Sequence, residues 1–71
     1  MGNIIIIVII INKMGDQTLP SGIRLSDLKN DPSARSRLTG ADRSALRGIV
    51  QTAASRGYIS AADASSCLGE L

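Results

Sequence analysis

The chain contains, close to its amino end, the unbroken apolar run Ile4-Ile5-Ile6-Ile7-Val8-Ile9-Ile10-Ile11. All eight residues are β-branched, and such side chains are stiff at χ1 and pack well on a pleated sheet. A strand formed by this run would be apolar on both faces, which is typical of a strand that is covered on both sides. The run therefore predicts an interior β-strand over residues 3–12.

The predicted strand has no evident partner in the rest of the sequence. The most similar segments, Ile23-Arg24-Leu25 and Gly57-Tyr58-Ile59, have three residues each. Backbone N–H and C=O groups that are left unpaired away from water cost roughly 1 to 3 kcal/mol each. We therefore expect the strand to find its hydrogen-bonding partner outside its own chain.

Three arrangements would supply that partner or remove the need for it. In the favoured one, two copies pair through their strands across a two-fold axis and form an obligate homodimer or a larger closed oligomer. In the second, the strand joins the edge of another protein's sheet. In the third, the run is disordered or vestigial, because the natural product starts at Met14 rather than at Met1. The predicted oligomer interface consists of Ile4, Ile5, Ile6, Ile7, Val8, Ile9, Ile10 and Ile11.

The remainder of the chain carries turn and helix signals. Residues 13–25 contain glycine and proline and are interpreted as a connector. In residues 26–69, Ser26 and Asp31 are expected to cap two short helices, the second of which ends near Leu38. Thr39 opens a longer helix that ends at Gly57, and Ser60 opens a last one.

These elements predict a single small α+β domain over residues 1–71. A chain of 71 residues is too short to divide into two separate cores. The fold class expected from the sequence is one N-terminal β-strand, over about residues 3–12, followed by three or four short α-helices, with the strand paired between chains.

The side-chain inventory argues against catalysis and against metal or cofactor chemistry. The chain has no histidine and a single cysteine, Cys67, so it can form neither an internal disulfide nor a common zinc site. Serine, threonine or cysteine nucleophiles need a neighbouring base, and no Gly-rich phosphate loop or cofactor motif is present. We predict a protein that is not an enzyme and that has no cofactor, with Cys67 as a small buried residue.

Charge and aromatic content indicate where a partner would bind. The net charge is +2, and a small cationic patch is predicted from Arg35, Arg37, Arg43 and Arg47. Tyr58 is the single aromatic residue, and tyrosine and arginine are enriched in binding hot spots. These five residues are the predicted partner-binding residues of a small regulatory or inhibitory protein that binds another protein. The alternatives are a dimeric DNA-binding regulator and a structural subunit of a larger assembly.

The segment Leu46 to Leu68, a helix followed by a tight turn and a second capped helix, resembles the helix-turn-helix segments of many bacterial regulators. It is also similar to the last part of the N-terminal region of primary sigma factors. In a DNA reader of this shape the second helix presents long polar side chains to the bases. Residues 61–66 offer alanines, serines and Asp63 instead, which argues against base reading by this helix.

The apolar run lacks the features of a membrane span or an export segment. Spanning hydrocarbon takes about 20 apolar residues, and the run has eight. A secretory leader carries a basic segment ahead of its apolar part, whereas Met1-Gly2-Asn3 has no charged side chain. The sequence therefore predicts a cytoplasmic protein without a membrane span.

Overall fold

The computed structural model describes residues 3–69, which fold into four α-helices and one short 3₁₀ helix. The elements in chain order are α1 (Asn3–Met14), α2 (Leu25–Asn30), the 3₁₀ helix η1 (Pro32–Arg37), α3 (Gly40–Ser55) and α4 (Ala61–Gly69). The Cα radius of gyration is 10.8 Å, close to the value of about 11 Å expected for a compact chain of this length.

The α+β prediction is wrong, because the apolar run lies in helix α1 and not in a strand. Within residues 3–69 the β-type pairing is confined to one isolated antiparallel bridge between Thr18 and Arg24. Pairing of the run between chains as β-strands is overturned with it. A helix hydrogen-bonds its backbone within itself, so the run needs no partner strand inside or outside the chain.

Tertiary burial outweighs the weak helix propensity of isoleucine in α1. Ordinary residues cost at most about 0.7 kcal/mol each relative to alanine in a helix, or at most about 6 kcal/mol for the whole run of eight. Ile6, Ile7 and Ile10 are buried, with 5%, 3% and 0% exposure. Complete burial of such side chains contributes about 1.5 to 3 kcal/mol each, or roughly 5 to 9 kcal/mol together. Burial of these three side chains is therefore comparable in free energy to the largest propensity cost of the run and offsets it.

Helix α1 lies at the centre of the packing, since it contacts α2, α3 and α4. Helix α2 supplies Leu25 and Leu28 to the core, and α4 supplies Ala64 and Cys67. Helix α3 packs against α4 as well as α1. The other buried apolar members of the core are Leu19, Ala34, Leu38, Leu46, Val50, Ala53 and Ile59.

The connector between α1 and α2 is a tight hairpin-like loop. The Leu19 and Ile23 backbones are joined by an N–H···O bond of 2.7 Å, and the Gly22 N–H donates to the Leu19 carbonyl at 2.8 Å. Gly22 has a φ of 100°, a conformation that favours glycine, as in a three-residue hairpin loop. The connector in the structure covers residues 15–24, which is shorter than the predicted 13–25 because α1 continues to Met14 and α2 begins at Leu25.

Asp42 ties this loop to the start of α3. Its Oδ1 accepts the Ser21 N–H at 2.9 Å, and its Oδ2 accepts the Thr39 N–H at 3.0 Å. The Thr39 hydroxyl in turn accepts the Asp42 N–H at 3.1 Å, which completes the predicted capping box. Asp42 has 0% exposure, and each of its carboxylate oxygens is used by a backbone donor.

Of the other predicted helix caps, those at Asp31 and Ser60 are present in the structure and the one at Ser26 is not. Asp31 caps η1 by accepting the Ser33 N–H at 3.0 Å, and the Ser60 hydroxyl accepts the Asp63 N–H at 3.0 Å, as expected. Gly57 ends α3 with a φ of 79°. Ser26 is not the cap of α2, which begins at Leu25; its hydroxyl donates to Asp16 instead, at 2.7 Å.

Two substitutions in α1 test the helical orientation of the apolar run. We expect Ile10→Ala to lower the free energy of unfolding by about 2 to 5 kcal/mol, because it leaves a cavity in the core. Ile5→Ala, at a position that is 67% exposed, should cost less than about 0.5 kcal/mol. Urea denaturation followed by far-ultraviolet circular dichroism measures both. If Ile10→Ala does not fold, the milder Ile10→Val is compared with Ile5→Val; equal costs at the two positions would contradict the helical orientation.

Asp42→Asn should lower the melting temperature by roughly 5 to 15 °C, since the amide nitrogen then faces a backbone N–H that needs an acceptor. Asp63→Asn is the matched control, because Asp63 is exposed on α4 and should shift the melting temperature much less. Thermal denaturation at neutral pH measures both variants. Similar melting temperatures for the two variants would show that the hydrogen bonds accepted by Asp42 do not stabilise the fold.

The same carboxylate makes stability depend on acid pH. Hydrogen bonds from Ser21 and Thr39 lower the pKa of Asp42 to about 2, from an ordinary value of 3.8, against the opposing effect of burial. A pKa that is lower in the folded state stabilises the fold above the unfolded pKa, and this contribution is lost as the pH falls towards 2. The difference in melting temperature between the parent and Asp42→Asn should therefore shrink between pH 4 and pH 2. If the difference in melting temperature does not change with pH, the Asp42 carboxylate is not the group that makes stability depend on acid pH.

Candidate binding surfaces

One face of α1 is turned away from the core and carries apolar side chains. We define the outer α1 face as Ile5, Val8 and Asn12, which are spaced i, i+3 and i+7 and therefore share one side of the helix. Ile5 is 67% exposed, Val8 is half-buried and Asn12 is exposed. Because Ile5 and Val8 lie outside the apolar core cluster, this face is available for an intermolecular contact.

The structure divides the residues of the predicted interface between core and surface. Ile6, Ile7 and Ile10 are buried within their own chain, so they do not face a second molecule. Ile9 and Ile11 are half-buried and pack against the core from the flanks of α1. The side chain of Ile4 lies outside the described residues. Of the predicted set, Ile5 and Val8 remain as the surface pair.

The predicted cationic patch is divided as well. Arg37 donates to the Ser33 hydroxyl at 3.2 Å and forms an ion pair of 3.4 Å with Asp31, so it folds back on η1. Arg35 is half-buried on the same 3₁₀ helix. Helix η1 packs against α2, and its backbone does not approach that of α3. The structure therefore does not join the two arginines of η1 to those of α3.

Arg43 and Arg47 lie together on the exposed side of α3. We define the outer α3 face as the five exposed residues of α3 between positions 43 and 51, which are Arg43, Ser44, Arg47, Gly48 and Gln51. Arg43 lies at the edge of this face, two turns before the buried Val50 on nearly the same side of the helix. The two arginines were predicted from the sequence, whereas their three neighbours were not. Ser44 and Gln51, three residues before and four residues after Arg47, follow from helical spacing, but Gly48, which directly follows Arg47, does not.

Gly48 is an unusual residue for the middle of a helix. A Cβ atom built at Gly48 meets nothing within 4 Å, so packing inside this chain does not require glycine there. Glycine in a helix interior is less stable than alanine by roughly 0.5 to 1 kcal/mol. Alanine at position 48 would therefore be expected to make α3 more stable than the natural glycine does.

Tyr58 and Cys67 belong to the fold rather than to an open surface. Tyr58 is half-buried and packs against the core cluster next to the Schellman-type end of α3, where its N–H donates to the Ala53 carbonyl at 2.9 Å. Cys67 is 1% exposed, which confirms the prediction of a small buried residue. Tyr58 therefore anchors the turn between α3 and α4.

Metal binding and membrane spanning find no support in the described part of the chain. Residues 3–69 contain no cluster of three or more His, Cys, Asp or Glu side chains positioned to hold a metal ion. None of the helices in that range has both the length and the hydropathy needed to cross a bilayer.

Comparison with known proteins identifies no relative. No protein family matches the sequence, and neither the curated proteins nor the solved structures include one of significant similarity.

Proposed function

We propose that this is a non-enzymatic binding protein that associates with a second copy of itself through the outer α1 face. The observation that carries the proposal is the 67% exposure of Ile5, the one large apolar side chain exposed in the described part of the chain. Transfer of apolar surface from water into a contact is favourable by about 25 cal/mol per Å². The outer α1 face gains this energy when another apolar surface covers it.

The charge of the outer α1 face favours a second copy as the occupant. Ile5, Val8 and Asn12 carry no formal charge, so two copies that meet across a two-fold axis place no like charges from this face opposite one another. In an antiparallel arrangement centred on Val8, each Val8 contacts its symmetry mate. An anionic membrane would instead be recognised by several cations around the apolar stripe, and α1 contributes only Lys13.

The size of the surface indicates a weak and reversible dimer. Stable complexes bury about 800 Å² on each partner, which is about a fifth of the 4010 Å² exposed by this molecule. Helix α1 has 12 residues and is about 18 Å long, and its inner face is already covered by its own chain. Each copy thus has a complete core before it associates, and the dimer dissociates on dilution.

Sedimentation equilibrium over a wide concentration range tests this proposal. The apparent mass should rise with concentration from that of one chain, 7.4 kDa, towards that of two. Ile5→Lys should weaken association by about tenfold or more, which corresponds to about 1.4 kcal/mol or more, because each copy then buries a charged lysine at the contact in place of an apolar side chain.

Ser66→Lys is the matched control, since it adds the same charge at an exposed position of α4 and should leave association unchanged. A mass that stays at one chain at every concentration would overturn the proposal, and so would equal association of the parent and Ile5→Lys. Flotation with neutral and anionic vesicles tests whether a membrane covers the outer α1 face instead. If the parent is monomeric and binds vesicles, and Ile5→Lys abolishes that binding, the partner of this face is a lipid surface and not a second copy.

A further inference from the structure

We infer that the second copy docks with its α1 helix parallel to that of the first, and that Asn12 determines this orientation. The inference rests on the proposed self-association and adds the residue that makes it specific. Ile5, Val8 and Asn12 have the spacing of positions a, d and a in a heptad repeat, the positions at which two paired helices meet. Two apolar contacts and one amide contact therefore lie in a single row between the helices.

The same heptad frame agrees with the burial of the other α1 residues. Ile6, Ile7 and Ile10 fall at positions b, c and f, which point away from a paired helix, and they are buried in their own chain. Ile9 and Ile11 fall at positions e and g, which border the contact, and both are half-buried. One side of α1 thus serves the fold, and the other has the pattern of a helix that pairs with a second helix.

Helix α1 is ordered before the second copy arrives. Its 12 residues would form only a marginal helix in isolation, but the core of the single chain already holds it. Association therefore does not have to order the helix, and a pre-organised surface binds at a smaller cost in entropy.

The side-chain amide of Asn12 needs a polar partner in the contact. Asn12 is exposed in the single chain, so water satisfies its amide there. Contact with a second copy removes that water, which is unfavourable unless a new hydrogen bond replaces it. An asparagine carries both a donor, Nδ2–H, and an acceptor, Oδ1, so Asn12 is complementary to the partner's Asn12.

Only the parallel orientation satisfies the whole row. In a parallel pair, each of the three residues lies opposite its own symmetry mate. An antiparallel pair centred on Val8 separates the two Asn12 residues by about 12 Å along the axis, and each amide then faces the apolar run of the other helix. An antiparallel pair centred on Asn12 brings the amides together, but it places Val8 opposite residue 16, which lies beyond the end of α1.

Electrostatic repulsion between parallel helices is weak at this contact. Like ends of the two helices each carry about half an elementary charge, and packed helices lie about 8 to 10 Å apart. This separation is at least the Debye length of about 8 Å at physiological ionic strength, so exposed ends are screened from one another. Lys13 falls at position b, which points away from the contact.

Opposite charges at position 12 test the inference. Asn12→Lys and Asn12→Asp should each associate about tenfold more weakly than the parent, because like charges meet in the parallel contact. An equimolar mixture of the two variants should recover at least the association of the parent, since a lysine then faces a carboxylate. Sedimentation equilibrium measures the three samples, and far-ultraviolet circular dichroism checks that both variants are folded.

The matched control places the same charges on α4. Ser66→Lys and Ser66→Asp change an exposed position outside the contact, so each variant and their mixture should associate as the parent does. A gain on mixing the Ser66 variants as large as that on mixing the Asn12 variants would show that overall charge, and not the contact at position 12, determines affinity. That result would overturn the inference.

Two further outcomes separate this inference from the proposed function. If the parent associates through Ile5 but the Asn12 mixture associates no more tightly than its components, or Asn12→Lys associates as the parent does, the parallel orientation is wrong and the proposed function stands. If the parent stays monomeric at every concentration, both are overturned.

Discussion

Burial of one side of α1 is the interaction on which the remaining structure depends. Ile6, Ile7 and Ile10 present a continuous apolar stripe, and α2, α3 and α4 are all arranged around it. The other helices carry few large side chains, and alanine and cysteine fill several core positions. Without the branched side chains of α1, these short helices would have little apolar surface to share, and isolated helices of their length are marginal in water.

A second constraint, the hydrogen bonding of Asp42, sets the orientation of α3. The carboxylate joins the tip of the connector to the first turn of the helix, so the positions of Leu46 and Val50 relative to α1 follow from it. Since the inner side of α3 is fixed in this way, its outer side is fixed too. The outer α1 face is likewise the reverse side of the helix that lies at the centre of the packing.

Local signals in the sequence were sufficient where a structure depends on neighbouring residues. The caps at Thr39 and Ser60 and the stop at Gly57 were predicted because each involves hydrogen bonds within a few residues. The apolar run was misassigned because β-branched residues favour strands only when a sheet is available. The sequence contains no second segment that could pair with the run as a strand. The structure satisfies the backbone of the run within helix α1, which supplies its own hydrogen bonds, and needs no strand from another molecule. Separation of Arg37 from Arg43 was also beyond local reasoning, since it depends on the extended residues Leu38 and Thr39 and on the ion pair with Asp31.

The contact between α1 and α4 has a consequence for synthesis of the chain in a cell. Helix α4 follows every other described element, yet it covers part of the apolar stripe of the first helix. While the nascent polypeptide is still tethered to the ribosome, that stripe is only partly covered, and a β-branched segment in this state is prone to intermolecular aggregation. Docking of α4 onto α1 therefore removes an aggregation-prone surface as well as completing the core.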